Sequence, residues 1–317
     1  MVAARRLRVV FFGTPEFAVP TLEALLRSRH PVVGVVTQPD RPRGRGQKIS
    51  DTPIKQHAAE AALAILQPAR MKDEAFMAAV GALDADLGVV AAYGKILTDD
   101  LLRMPRLGLI NVHASLLPRY RGAAPVHRAI IDGERETGVT IMRVVKALDA
   151  GPMLATVRRP IGPAETSDEV ERDLAQVGAA LLVSTVDALA DGAVTEVPQD
   201  EAASTYAARL TKDDGAIDWS KSAAQVHNLI RGLHPWPHAF THWRSKRVIV
   251  LRSQPLADDA GAPPGTITHA AADDLRVATG AGTLRIQEMQ AEGKRPMTAR
   301  DFLAGHPLTP GDRFGSS

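Results

Sequence analysis

The chain has 317 residues, 45% of them hydrophobic and 23% charged, which is typical of a globular protein long enough for two domains. It contains no cysteine, and this excludes disulfides, thiolate nucleophiles and zinc sites built on sulfur ligands. The formal net charge is only +2, so the total charge says little about partners, and local basic patches matter more.

The same composition predicts a cytoplasmic protein. A secreted protein would usually carry disulfides, so the lack of cysteine fits a reducing compartment. The apolar run from Val9 to Phe12 ends at Gly13 and is too short for the core of a signal peptide. No stretch approaches the length of a transmembrane helix, so we expect no association with a membrane.

The first half of the chain alternates between short apolar, β-branched runs and helical patterns. Such runs suit strands that are buried on both faces, and strand–helix alternation implies βαβ units. The predicted strands cover 7–13, 31–38, 86–94, 107–115 and 137–145, followed by the apolar segment 151–161. The predicted helices cover 20–28, 51–62, 73–83 and 167–192. This order predicts a Rossmann-like α/β domain with a doubly wound, mostly parallel sheet over residues 1–190.

The second half of the chain has a different sequence pattern. Residues 191–206 carry four acidic and no basic side chains, and they are interpreted as a linker. A helix is predicted at 225–233. Short runs with Gly and Pro turns follow at 247–253, 264–270, 274–280 and 282–290. Short strands at this spacing predict a small OB-like β-barrel within residues 207–317.

The turn after the first strand argues against a nicotinamide cofactor. A dinucleotide-binding loop needs three glycines, whereas this turn has Gly13 alone and Pro15 where the backbone would approach a pyrophosphate. The ligand crevice can still lie at the carboxyl ends of the strands, as this architecture favours.

Polar side chains collect at the ends of two later strands. Asn111 and His113 are two residues apart, and on an extended chain this spacing puts both on one face. Asp149 directly follows another apolar strand. A neutral donor, a proton-transfer group and a carboxylate can form one catalytic site. A histidine near a strand end is often structural instead, and spacing alone leaves both interpretations open.

A basic loop follows the second strand. Residues 39–48 hold four basic side chains against the single acid Asp40; these are Arg41, Arg43, Arg45 and Lys48. A solvated surface loop is the plain interpretation of such a cluster. The position after a strand puts the loop at the mouth of the crevice, where its guanidinium groups can approach phosphates.

Three histidines have the spacing of helical metal ligands but predict no metal site. They are His234, His238 and His242. Pro235 and Pro237 prevent a helix there, and the segment has no acidic partner.

Eight segments, in the right order over almost the whole chain, resemble the methionyl-tRNA formyltransferases. They are FGTPEFAVP (12–20), QPDRPRGRGQK (38–48), AAYGKIL (91–97), NVHASLLPRYRGAAP (111–125), ETGVTIM (136–142), LDAGPML (148–154), ARLTKDDGAIDW (208–219) and HPWP (234–237). The resemblance implies 10-formyltetrahydrofolate as formyl donor and initiator methionyl-tRNA as acceptor, with no metal. We expect the enzyme to act as a monomer.

The resemblance also implies roles for particular residues. The catalytic trio is Asn111, His113 and Asp149. The folate lies along Ser115, Leu116, Leu117 and Pro118, and the run from Tyr93 to Leu97 borders the pterin pocket. The tRNA acceptor stem contacts the basic loop at Arg41, Arg43, Arg45 and Lys48, and the C-terminal barrel adds a second tRNA-binding surface.

Other functions share parts of this pattern. A formyltetrahydrofolate hydrolase or an amino-sugar formyltransferase uses the same trio, so the trio does not discriminate among them. The basic loop and the C-terminal half favour tRNA. A purine-pathway transformylase resembles only the first domain. The intact trio also argues against a non-catalytic RNA-binding protein.

Overall fold

The computed structural model describes residues 5–43, 48–258 and 261–315, with the backbone alone for residues 42, 43, 48 and 49. Its helices are α1 Val19–Arg27, α2 Pro53–Glu60, α3 Glu74–Ala82, α4 Asp99–Arg103, α5 Pro125–Ile131, α6 Ser167–Ala190, α7 Ala223–Gly232 and α8 Ala299–Gly305. The strands of the first two thirds are β1 Val9–Gly13, β2 Val32–Val36, β3 Arg41–Arg43, β4 Lys48–Ser50, β5 Ile65–Leu66, β6 Leu87–Ala91, β7 Leu109–His113, β8 Arg121–Gly122, β9 Glu136–Arg143, β10 Met153–Pro160 and β11 Tyr206–Ala207. The remaining strands are β12 Ala239–Trp243, β13 Lys246–Leu256, β14 Ile267–Ala271, β15 Asp274–Ala278, β16 Thr283–Ala291 and β17 Met297–Thr298.

The main sheet has seven strands in the order β10-β9-β7-β6-β1-β2-β5. The pairs from β7 through β6, β1 and β2 to β5 are parallel, and β9 runs antiparallel to β7. From β1 the chain adds β2 and β5 on one side of the sheet, and it then adds β6 and β7 on the other side of β1. The direction of winding therefore reverses at β1. Ligands of such sheets bind at the carboxyl ends beside this reversal. The predicted Rossmann-like, mostly parallel sheet is confirmed.

The centre of this sheet is buried because its strands are apolar on both faces. All five residues of β1 are buried, as the continuous apolar run predicts. Gly13 ends the strand where a side chain would not fit, since a Cβ there would lie 2.6 Å from the Phe11 ring and 3.1 Å from the Ala91 carbonyl oxygen. The single glycine of the first turn therefore allows β1 and β6 to meet closely.

Helix α6 packs on one face of the sheet. Leu174, Leu182 and Val186 are fully buried, and a Cβ on Gly178 would come within 3.2 Å of the Val112 and Val139 side chains. Among the described helices, α6 alone is long and apolar enough to span a membrane by length and composition. The expectation that no stretch approaches that length is therefore wrong. Part of the apolar surface of α6, including Leu174, Leu182 and Val186, is buried.

The backbone divides into two compact units. The first comprises residues 1–122, 137–159 and 171–206, and the second comprises 123–136, 160–170 and 207–317. The predicted boundaries 1–190, 191–206 and 207–317 follow sequence order, whereas these units follow packing. Those boundaries stay a prediction.

The second unit contains an antiparallel sheet in the order β12-β13-β16-β15-β14, with β17 paired to β16. The C-terminal segment joins its two edges. Gly315 exchanges backbone hydrogen bonds with His242 of β12, and Phe314 donates to Gly265 just before β14. Trp219 stacks on Phe314 within the core of this unit, with ring centroids 5.9 Å apart. The predicted small C-terminal β-domain is confirmed.

Sequence patterns missed the edge strand of this unit but predicted its helix and the Pro-rich turn. The edge strand β12 alternates between buried and half-buried residues, but it follows the Pro-rich turn and was not predicted. Helix α7 was predicted, and its start is fixed by reciprocal hydrogen bonds between Ser222 and Gln225. Residues 233–237 form a turn, as the two prolines require.

Candidate active site

Strand β7 carries Asn111 and His113 to the edge of the sheet where parallel strands end. Their side chains share one face, and Val112 between them faces α6 on the other. His113 is only 6% exposed, whereas Asn111 is half-buried. The Asn111 amide makes no hydrogen bond to any residue that the structure describes, so both of its N–H groups remain available to a ligand.

The two ring nitrogens of His113 have different partners. Nε2 lies 2.9 Å from the Tyr120 carbonyl oxygen, which can only accept, so Nε2 donates. Nδ1 lies 3.8 Å from Asp149 Oδ2. Neutral His113 therefore holds its proton on Nε2, and Nδ1 is the nitrogen at which a proton is gained or lost. The imidazolium form would be an ion pair with Asp149.

Asp149 lies in a tight turn with a left-handed backbone, at φ 48°. Its Oδ2 accepts a hydrogen bond from the Gly122 N–H at 2.8 Å. Gly151 approaches the neighbouring strand so closely that a Cβ would lie 1.9 Å from the Arg143 carbonyl oxygen. The structure thus brings together the three predicted catalytic residues, although 36 residues separate Asp149 from His113 in the sequence.

The predicted folate segment forms a compact turn after β7. The Ser115 hydroxyl donates to the Arg119 carbonyl oxygen at 2.7 Å, and Leu117 is buried. Leu116 and Pro118 are half-buried and expose part of their apolar surface. The segment therefore offers an apolar ridge, while the serine hydroxyl is used inside the turn.

The predicted pterin-pocket run is only partly available to a ligand. Tyr93 is buried, its ring packs edge-on against Phe12, and burial raises the pKa of its hydroxyl to about 12. Its carbonyl oxygen accepts from Thr14 and from Gln38. Ile96, in contrast, is 88% exposed. The pocket wall can come from residues after Tyr93, since Tyr93 itself belongs to the core.

The basic loop is a small hairpin in which Arg43 of β3 pairs with Lys48 of β4. The Arg41 side chain is exposed. Arg45 lies outside the described residues, and the side chains of Arg43 and Lys48 lie outside them as well.

Asp40, the single acid of this loop, forms an ion pair with Lys55 of α2. The Lys55 ammonium donates to the Asp40 carboxylate, and Gln67 donates to its other oxygen at 3.0 Å. The hydrogen bonds from these two side chains lower the pKa of Asp40. Asp40 therefore anchors the hairpin and is already paired, so it does little to neutralise the arginines.

The three histidines that mimic metal ligands do not converge on one point. His242 lies in β12, while His234 and His238 flank the Pro-rich turn with ring centroids 5.4 Å apart. His234 Nε2 lies 3.8 Å from Asp168, an acidic neighbour that comes from outside the segment. Within residues 5–43, 48–258 and 261–315 no cluster of three metal-ligating side chains is found.

Sequence reasoning missed the residues that hold the Asp149 turn. Gln199 donates from Nε2 to the carbonyl oxygens of Asp149 and Gly151, at 2.8 and 2.7 Å. Arg121 binds Gln199 and Glu201. These partners come from the acidic segment 191–206, whose composition suggested a plain linker. Composition does not reveal which side chains fold back onto a distant turn.

Comparison with known proteins matches both halves of the chain. Residues 6–186 match the family described as formyl transferase, and residues 209–307 match its C-terminal domain. Methionyl-tRNA formyltransferase of Roseiflexus sp. (strain RS-1) is 46% identical over 98% of this chain and 96% of that protein. The protein of the same name from Methylococcus capsulatus (strain ATCC 33009 / NCIMB 11132 / Bath) is 47% identical over 98% of this chain and its full length.

Solved structures share the fold at lower identity. A sugar 3N-formyl transferase, WlaRD, crystallised with dTDP and 5-N-formyl-THF, superimposes with a TM-score of 0.67 at 16% identity. The match covers 91% of this chain and 99% of that one. At this identity the likeness concerns the fold alone.

Proposed function

Because this chain belongs to the formyl transferase family, we propose that Asn111, His113 and Asp149 perform the chemistry of its reaction. The enzyme transfers a formyl group from 10-formyltetrahydrofolate to the amino group of methionyl-tRNA, as its full-length relatives indicate. The observation that carries the residue assignment is that Asp149 lies 3.8 Å from His113, which shares one face of β7 with Asn111.

The residues around the trio suit a flat, partly apolar co-substrate. Leu148, which precedes Asp149, is 57% exposed, and Ile96 in the loop after β6 is also exposed. Leu116 and Pro118, which follow His113 closely in the sequence, add half-buried apolar surface. Exposed apolar walls with a few free polar groups are typical of small-molecule sites. The folate supplies the formyl group and leaves as tetrahydrofolate.

Asn111 is assigned to the formyl oxygen. This oxygen gains negative charge when the amine attacks the formyl carbon, and a donor already in place stabilises that charge. The Asn111 amide is free of described protein partners, so it need not break a hydrogen bond to donate. Removal of one such donor in comparable sites costs about 2.7–4 kcal/mol of transition-state stabilisation.

His113 and Asp149 are assigned to proton transfer. The attacking amine must lose a proton, and the departing folate nitrogen must gain one. His113 exchanges its proton at Nδ1, because Nε2 is held by the Tyr120 carbonyl oxygen. Asp149 Oδ2 lies 3.8 Å from Nδ1, so a carboxylate stands beside the nitrogen that exchanges the proton.

Two basic surfaces are proposed for the tRNA. The first is the basic loop with Arg41, Arg43, Arg45 and Lys48, of which Arg45 lies outside the described residues; it begins beside the Asp40–Lys55 contact. The second is the turn between β12 and β13. Arg244 and Lys246 are exposed there, and no described acidic side chain forms an ion pair with either. The Arg244 guanidinium lies 4.5 Å from the centre of the Trp243 ring.

Replacing Arg43 and Arg45 by alanine should weaken the binding of methionyl-tRNA. When a phosphate contact is lost, the tRNA keeps the counterions that binding would have released. The slope of log affinity against log salt concentration should therefore flatten by about 0.7–0.9 per contact. KM for tRNA should rise while the affinity for folate stays unchanged. The measurement is tRNA affinity across a salt series, together with steady-state kinetics.

A matched control removes two exposed arginines that belong to helices α1 and α4 and not to the hairpin, Arg27 and Arg103. This variant loses the same total charge, so its salt slope should match that of the wild type. Equal slopes and equal KM for the hairpin variant and the control would show that the hairpin arginines are only solvated.

We also propose that the enzyme acts in the cytoplasm, as a monomer and without a membrane. The absence of cysteine and the bacterial origin of its relatives support the location. Analytical ultracentrifugation of the free protein tests the monomer, and a concentration-dependent dimer would contradict it.

A further inference from the structure

Gln199 connects the acidic segment to the turn that carries Asp149. Its side-chain N–H groups donate to the carbonyl oxygens of Asp149 and Gly151, at 2.8 and 2.7 Å. Its Oε1 accepts from Arg121 Nε at 3.0 Å. Both donors and the acceptor of one half-buried amide are therefore used, and they tie together two loops.

The Asp149 turn has a left-handed backbone, at φ 48°. Aspartate adopts this conformation more readily than most residues with a Cβ, and the hydrogen bonds around the turn fix the position of its carboxylate. Gln199 hydrogen-bonds to the carbonyl oxygens of Asp149 and Gly151, on both sides of Ala150. Losing these two hydrogen bonds would leave the turn free to relax.

The other end of this network reaches the Asp149 carboxylate. Arg121 is held by Glu201 through two hydrogen bonds of 3.0 and 2.7 Å. The next residue, Gly122, donates its N–H to Asp149 Oδ2. Gln199 thus contacts the backbone of Asp149 and also Arg121. Arg121 directly precedes Gly122, the donor to the Asp149 carboxylate.

We propose that Gln199 is a positioning residue for catalysis, acting through Asp149 by fixing the turn that aims its carboxylate at His113 Nδ1. This inference rests on the proposed catalytic role of Asp149. Gln199 itself touches none of the reacting atoms. The acidic segment then belongs to the catalytic machinery as well as joining the two halves of the chain.

Gln199→Glu tests the proposal, because it keeps the acceptor for Arg121 and places an oxygen against two carbonyl oxygens. We expect kcat to fall by about 10- to 100-fold, since misplacement of a reacting group by about 1 Å has effects of that size. KM for both substrates should change little. Gln199→Met has a similar length and no donor, so it should reproduce the loss without a new charge.

Gln290→Glu is the matched control. Gln290 also donates its amide to a backbone carbonyl oxygen, that of Lys294, but in the C-terminal sheet. This variant should keep the wild-type kcat. A thermal melt of each variant shows whether the fold is intact.

A double-mutant cycle with Asp149→Asn separates positioning from a general structural effect. If Gln199 acts through Asp149, Gln199→Glu should slow the single-turnover rate strongly in the wild type and little in the Asp149→Asn background. The same fold-loss in both backgrounds, or a wild-type kcat for both Gln199 variants, would overturn the proposal. Full activity of Asp149→Asn alone would instead overturn the catalytic assignment of Asp149.

Discussion

Alanine at position 113 is expected to lower kcat by about 10²-fold or more, because proton transfer by a positioned side chain contributes at least that much. The affinity for the folate should stay near its wild-type value, since the lost interaction belongs to the reacting groups and not to the bound co-substrate. Single-turnover rates with formyl donor and methionyl-tRNA give the first quantity, and equilibrium binding of the folate gives the second.

The buried position of His113 requires a check on the fold. The side chain donates to Tyr120, so its removal leaves that carbonyl oxygen without this donor. His57→Ala is a suitable control, because His57 lies on α2 beside Glu23 and away from β7. Near-wild-type turnover of His113→Ala would make His113 a structural residue and would contradict the mechanism.

Asp149→Asn is expected to be the most selective of the catalytic variants. Asparagine keeps the shape of the side chain and an oxygen that can accept from Gly122, but it removes the negative charge beside His113 Nδ1. We expect kcat to fall by about 10²-fold or more, in the range of general acid–base contributions.

The backbone at this position favours the substitution. Asparagine tolerates left-handed φ values as well as aspartate does and keeps an acceptor for Gly122, so the free energy of unfolding should change by about 1 kcal/mol or less. Asp84 offers a matched control, since it is also left-handed, at φ 46°, and its side chain is exposed. Asp84→Asn should keep full activity. Gross destabilisation of Asp149→Asn would instead assign Asp149 a structural role.

Alternation along a strand was enough to predict the Asn111–His113 pair. Two residues that are two apart on an extended chain share a face whatever the rest of the fold does. The approach of Asp149 could not be predicted in this way. It depends on a left-handed turn, on Gly151 lying against Arg143, and on Gln199 from a distant segment. Tertiary contacts of this kind leave no local periodicity.

The contacts of the acidic segment, residues 191–206, could not be predicted from the sequence either. Its lack of basic residues suggested a linker, yet Thr205 accepts from the Tyr120 N–H and Gln199 holds the Asp149 turn. A fragment that ends near Asp191 would lose both contacts. Such a fragment tests the need for the positioning contacts as well as the need for the C-terminal half.

Tyr93 is a case in which the structure adds packing to an expectation that came from resemblance. The resemblance implies that the run from Tyr93 to Leu97 borders the pterin pocket, which stays a prediction, and the ring of Tyr93 lies in the core beside Phe12. An aromatic residue near a strand end satisfies either role, and only packing decides between them.

The most direct test offers the purified protein 10-formyltetrahydrofolate with one acceptor at a time: methionyl-tRNA, free methionine, an amino-sugar nucleotide, or water alone. Tetrahydrofolate release and formylation of the acceptor are followed together. We predict rapid release only with methionyl-tRNA, in equal amount to the N-formylmethionyl-tRNA formed. Release at the same rate in water, or formylation of the amino sugar while methionyl-tRNA stays unchanged, would contradict the assignment.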